Sequence, residues 1–290
     1  MKSLLTCGLL FVSSLAIGQP DTDVYIAELT LSSKAIVVKN PFNVSNNPGY
    51  DNQPSFRSDG EILIYAKTRN GQTDIADYDP ESGHGSWLTN TPGGSEYSPT
   101  EIPETNSVSA IRLDTTGLQR LYRYEFKDRE KSQVLFDDLK IGYHLWFRPN
   151  ILVCTVLTEN RMDLVVAYPE DQTANTYQKK VGRSLHRIPG RDLISYVSLE
   201  DGKPILKSMD PISGSTAIIA PLPEGIQDVC WLPNGLLLCG GDGILQLWDP
   251  EKSAWNTAVE LGNDFGQISR IAVNKQGTLI ALVNTKTQRN

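Results

Sequence analysis

Along most of this chain apolar and polar residues alternate over short runs, and turn residues break the runs every five to eight positions. A period of two over a few residues predicts half-buried β-strands, and no stretch sustains the 3.6-residue period of a helix. The clearest segment, Tyr50 to Gly83, reads YDNQPSFRSDGEILIYAKTRNGQTDIADYDPESG. In it an aromatic residue leads to a turn, then a β-branched run, then a second β-run ending in Tyr and Asp. Third-strand segments follow one formula: Ile75-Ala-Asp-Tyr-Asp79, Leu121-Tyr-Arg-Tyr-Glu125, Leu206-Lys-Ser-Met-Asp210 and Leu245-Gln-Leu-Trp-Asp249. Each alternates and closes with an acid, and several lead into a turn such as Pro80-Glu-Ser-Gly83 or Pro211-Ile-Ser-Gly214, before a fourth strand such as Ala217 to Ile219.

The phrase occurs six times. Its first hairpin turn is Ser58-Asp59-Gly60, Pro233-Asn234-Gly235 or Lys275-Gln276-Gly277 in the clear copies, with glycine at the left-handed position. Degraded versions stand at Pro103-Glu104-Thr105 and Pro149-Asn150. Alignment on these turns puts Pro54, Pro99, His144, His186, Val229 and Ile271 in one column, 42 to 45 residues apart. Two positions on come Phe56, Glu101, Trp146, Ile188, Trp231 and Val273. Glu101 is the odd acid there, either a paired wall residue or a sign that blade two has slipped by one; slip or partial exposure is the favoured expectation.

A period of this length built from short strands and turns predicts an all-β, six-bladed β-propeller of four-stranded antiparallel blades. The sixth copy stops after two strands, Ile268 to Val273 and Leu279 to Val283. Val24-Tyr-Ile-Ala-Glu-Leu and Ala35-Ile-Val-Val-Lys39 read as its missing third and fourth strands. The last blade is therefore expected to be closed by N-terminal strands, which removes the open edges of an unclosed ring.

The first 18 residues have a different character. Lys2, an apolar run from Leu4 to Ile17 and a small-x-small site at Ala16-Ile17-Gly18 predict a signal peptide cut near Gly18/Gln19. The expected product is one propeller domain over 19–290, periplasmic or extracellular. Too few apolar residues precede Cys7 for a lipoprotein signal. Cys154, Cys230 and Cys239 remain. Cys230 and Cys239 flank a turn and could pair, but each lies in a hydrophobic run and is better read as a small buried apolar residue.

Lys and Arg number 27 against 34 Asp and Glu, a net charge of −7. That balance argues against nucleic acid and anionic membrane surfaces as partners. No later stretch is long enough to span a bilayer.

Gln53-Pro-Ser-Phe-Arg-Ser-Asp-Gly60, with Ile62-Leu-Ile-Tyr-Ala-Lys-Thr-Arg69 and Gly71-Gln-Thr-Asp-Ile75, resembles the WD-like repeat of TolB-type six-bladed propellers. Arg57-Ser58 stands where the family has Ser-Pro, and Ala76 where it has Tyr. Asn90-Thr-Pro, Glu96-Tyr-Ser-Pro-Thr100, Gly142-Tyr-His-Leu-Trp146 and Gly182-Arg-Ser-Leu-His-Arg-Ile-Pro-Gly190 are similar to secreted bacterial members. TolB itself carries an additional N-terminal domain, and the segment ahead of the first repeat is too short for one. The resemblance therefore implies a secreted member without it. Prolyl-oligopeptidase-like enzymes share the propeller but add an α/β-hydrolase domain, and no G-x-S-x-G elbow occurs here. Six-bladed lactonases hold a divalent ion on inner strands, where this chain has Pro54, Pro99, Val229 and Ile271.

In this architecture the first strands line a central channel, and their entry ends meet at one mouth. His144 and His186 fall in one column on adjacent blades, near Asp51, Tyr97, Tyr143, Arg183, Asp228 and Arg270. This set is the candidate ligand site. Two histidines in a repeat column also arise simply from hydrogen bonds between blades. A metal would need a third ligand, for which only Asp228 offers itself, so neither metal nor cofactor is expected. His84, in a Gly-His-Gly turn, is expected to be solvated. The leading expectation is a monomeric, non-catalytic binding propeller for a protein, peptide or small ligand. The alternative is a hydrolase, metal-assisted or not, with His144, His186 and Asp228 at the same mouth.

Overall fold

The computed structural model describes residues 19–128 and 131–285; the predicted signal peptide lies outside them. Twenty-four strands among the described residues form six four-stranded antiparallel sheets, arranged as a six-bladed β-propeller. The innermost strands are Asn52–Phe56, Gly94–Glu101, Ile141–Arg148, Val181–Arg187, Val229–Trp231 and Ile268–Val273 for blades one to six. Blade six combines both ends of the chain. Thr22–Leu31 pairs with Leu279–Thr285, placing Val24 opposite Val283, and Ile36–Asn43 forms its outer edge. No helix among the described residues is long and apolar enough to cross a membrane.

Alternation along the second strands builds the core. In Leu63–Arg69 of blade one, Leu63 and Tyr65 pack with Val24, Ala281 and Val283 of blade six. The intervening Ile64 and Ala66 pack with Val108, Ala110 and Tyr124 of blade two. Each blade thus gives one face to each neighbour, and six apolar clusters fill the six junctions. Polar pins recur between them. The Nε1–H of Trp146 donates to Ser109 Oγ of the preceding blade (2.9 Å), as Trp231 does to Ser195 Oγ (2.8 Å).

The expected turns are present. Gly60, Gly235 and Gly277 have φ of 79°, 86° and 70°, and in the degraded copy of blade two Glu104 takes a left-handed conformation at 61°. The closing acids of the third strands cap the turns that follow. Asp79, Asp210 and Asp249 accept the backbone N–H two residues on, from Glu81, Ile212 and Glu251. Cys154, Cys230 and Cys239 are free and buried, and burial pushes their thiols up to about 12.

Two register expectations change. Blade two has not slipped. Ile102 N–H bonds Ser107 C=O just as Arg57 N–H bonds Ile62 C=O, so Glu101 is the true partner of Phe56. Glu101 is nearly buried because it accepts the Ser58 N–H of blade one, with the Arg57 guanidinium 3.9 Å away. The displaced blade is the fourth. There Ile188 N–H bonds Leu193 C=O, which puts Arg187, not Ile188, in that column. A β-bulge between Val181 and Leu185 accompanies the shift.

Candidate functional site

The one-residue shift separates the two histidines. On a strand, adjacent side chains point to opposite faces, so His144 and His186 look in opposite directions. The His144 ring turns toward blade two, where Nε2 meets Ser109 Oγ at 2.8 Å, and it is buried, although the residue still contributes to the wall of the channel. Burial pushes its pKa down to about 3, so it is a neutral packing group between blades. His186 turns toward blade five instead. Its Nε2 lies 3.8 Å from Asp228 Oδ1, and its side chain stays 27% exposed.

Asp51 also lies elsewhere than expected. It is fully buried, and its carboxylate accepts Thr68 N–H (2.7 Å) and Asn47 Nδ2–H (3.4 Å). Its backbone bonds Thr22 in both directions. It pins the entry of blade one to the N-terminal strand. The neighbouring Tyr50, which the repeat alignment passed over, meets Tyr97 edge-on at 6.0 Å. Burial pushes the Tyr50 hydroxyl up to about 12, and Arg270, Tyr143, Arg183 and Tyr97 are the charged and phenolic groups it senses. The alignment hid it: Tyr50 stands four residues before Pro54, whereas Tyr97 stands two before Pro99 and Tyr143 one before His144.

The remaining residues converge. Asp228 of blade five sits between His186 of blade four and Arg270 of blade six, whose Nη1 is 3.7 Å from Asp228 Oδ1. Burial works to raise the Asp228 pKa, but Arg270, His186 and Arg183 outweigh it and hold the group below the usual carboxylate range. The arginines reach across the channel. The Arg270 guanidinium lies 5.0 Å over the ring of Tyr143, on the opposite blade three. Arg183 of blade four donates through Nη2 to Ser269 C=O of blade six at 2.7 Å, past the whole of blade five.

These crossings form a constriction with a chamber on either side. One chamber, about 280 Å³, is lined by all six inner strands, including Pro54, Pro99, Tyr143, Leu185 and Ile271. The other, about 220 Å³, lies by the strand entries of blades five and six, around Gln227, Gln267 and Ser269. Arg183, Asp228, Arg270 and Ile271 line both and so make the shared wall. The arrangement can hold a ligand by charge, by stacking on Tyr143 and by apolar contact with the two prolines. Among the described residues no three His, Cys, Asp or Glu side chains gather in a way that could hold a metal ion.

No protein-family model and no curated protein matches this sequence. Solved structures do match in fold. The chain is similar to a putative TolB from Agrobacterium tumefaciens, with 14% identity, a TM-score of 0.69, and coverage of 93% of this chain and 100% of that one. It is similar to TolB from Acinetobacter baumannii at 12% identity and a TM-score of 0.59, covering 90% of this chain but only 64% of that one. A gluconolactonase from Xanthomonas campestris also matches, at 9% identity and a TM-score of 0.64, over 93% and 98% of the two chains. Identities this low establish the shared propeller and leave activity open, since one propeller frame carries both binding proteins and enzymes.

Proposed function

We propose that this chain is a secreted or periplasmic binding propeller of the TolB-like type, without catalysis of its own, that takes a peptide, protein or small ligand at its central funnel. The observation that carries the reading is the constriction. Four blades send Tyr143, Arg183, Asp228 and Arg270 to one point in the channel, where Arg270 over Tyr143 and Arg183 on Ser269 C=O join blades that are not neighbours and Asp228 faces Arg270. Most interblade packing is supplied by the six apolar clusters, so charged groups gathered in the channel support a binding role.

A hydrolytic reading draws on one observation, the His186–Asp228 pair. His144, the second imidazole that reading called for, is buried, turned toward blade two and bonded to Ser109.

The test is a thermal-shift panel of peptides and metabolites run in parallel on the wild-type protein and Tyr143→Ala. Ligands at the funnel raise the wild-type melting temperature and lose that effect in the variant. Ligands that stabilise both proteins equally would place binding elsewhere and sink the proposal. If a turnover activity is found and persists in both His144→Ala and His186→Ala, the enzymatic alternative at this mouth is wrong. N-terminal sequencing of exported protein, starting at Gln19, checks the secretory part.

A further inference from the structure

We propose that the Arg183–Arg270 constriction binds the carboxylate of a small organic acid whose body occupies the 280 Å³ chamber beside it. This rests on the binding reading above and names its ligand class.

The first argument is local charge. The chain carries −7 overall, yet the ionised groups lining the two chambers are Arg183, Arg187, Arg270 and Asp228. Three cations against one anion reverse the sign of the whole molecule at this point. Arg187 is already engaged, donating to Phe147 C=O at 3.0 Å and lying over the Phe147 ring. Arg183 also donates to Ser269 C=O and Arg270 also lies over Tyr143, but these two face each other across a single carboxylate, Asp228.

The second argument is incomplete pairing. Asp228 reaches Arg270 only at 3.7 Å, beyond direct hydrogen-bond range. The buried Nε–H of Arg183 and that of Arg270 find no acceptor among the described residues. Two desolvated guanidiniums held together with one counter-charge are costly, and an incoming anion relieves that cost. Burial, and next the charge of Arg270, push the Arg183 pKa down, consistent with a cation held beside another.

The third argument selects the kind of anion. Guanidinium forks match the planar, two-oxygen edge of a carboxylate. The adjoining chamber is faced by Pro54, Pro99, Tyr143, Leu185 and Ile271 beside the polar Gln53, Ser55 and Thr100, and its apolar part suits an organic body better than a free inorganic ion.

Calorimetric titration of the full exported chain with benzoate, benzamide and inorganic phosphate, at constant ionic strength, tests the assignment. Benzoate is expected to bind saturably at one per chain, benzamide not at all, and phosphate at least about tenfold more weakly than benzoate. Arg270→Gln should weaken benzoate by about tenfold or more, the scale of losing one hydrogen-bonded charge pair. Asp228→Asn should instead tighten it, because it removes the internal carboxylate that competes for the same arginines. This opposite sign keeps the test decisive even if the arginine variants fold poorly. Failure of benzoate to bind, equal binding of benzamide, phosphate binding as tight as benzoate, or weakening by Asp228→Asn each overturns the proposal. If the Tyr143-dependent stabilisation persists, only the carboxylate assignment falls; if it too is missing, the binding reading falls with it.

Discussion

At the scale of single residues, the most consequential buried group outside the channel is Glu96. It is fully enclosed between blades one and two, accepting Thr89 Oγ1–H and Tyr124 O–H, both at 3.1 Å. Burial, the largest influence, with further upward push from Asp74, raises its pKa to about 7 against the opposing pull of Thr91 and Thr89. Asp74 accepts Arg69 Nε–H at 2.7 Å and Thr91 N–H at 3.2 Å. An acid whose folded pKa lies above its unfolded value of 4.5 contributes stability that is complete below about pH 4.5 and is lost as pH rises through about 7. The wild-type melting temperature should therefore fall by a few degrees between pH 6 and 8. Glu96→Gln should flatten that slope, and an unchanged slope in the variant would show that the titration lies elsewhere. None of this was legible in the sequence, where Glu96 reads as an ordinary polar position beside Tyr97. Its environment comes from Asp74 and Tyr124, residues 22 and 28 positions away. His144 and His186 carry the same lesson. The sequence shows both imidazoles but not which face of the strand each occupies, because that depends on the register of the hairpin, Arg187 opposite Ile194 in blade four and Trp146 opposite Leu152 in blade three.

Strands and turns were far easier to read. Glycines in left-handed turns, capping acids after third strands and two-residue alternation each answer to local chemistry, so the six repeats and their turns were legible from residue types alone. Gly240 marks where that reading stops. Gly240-Gly241 looks like a turn, yet Gly240 ends a second strand, Leu237–Gly240, packed against blade six. A Cβ there would meet the Ile268 side chain at 2.6 Å and its carbonyl oxygen at 3.0 Å. Gly240→Ala must therefore push apart two inner elements whose contact leaves no room for a methyl group. The expected cost is about 1–3 kcal/mol of stability, the usual range for an overpacked junction, measured as a lower urea midpoint. A midpoint equal to wild type would mean that the two blades slide freely past one another. Because Ile268 opens the strand that carries Arg270, the same substitution should also disturb ligand binding at the constriction.

For the whole molecule, the ring is held shut at two levels. Blade six is zipped from both ends of the chain, with seven consecutive partners from Thr22↔Thr285 to Glu28↔Leu279. On the turn side, Asn274 Nδ2–H donates to Gly60 C=O at 3.0 Å and Gln276 Nε2–H to Asp59 C=O at 2.7 Å, joining blade six to blade one. Deleting residues 19–43 should leave Leu279–Thr285 as a bare edge and move the protein to larger species than the full chain on size-exclusion chromatography. A deletion variant that elutes as the full chain does, with unchanged unfolding, would show that the shared blade contributes nothing to closure. The sequence foretold this arrangement because a repeat missing two strands at one end and a surplus of two at the other leave few ways to satisfy both.

The shared blade also sets the order of events in time. Val24 cannot find Val283 until the chain has been made almost to its last strand. During synthesis, blades one to five can assemble by pairings between near neighbours, while Thr22–Leu31 waits, a hydrophobic strand without its partner. Joining strands more than 250 residues apart is slow, because loop-closure entropy is spent before the contact forms. The final clasp is therefore the last pairing this chain completes.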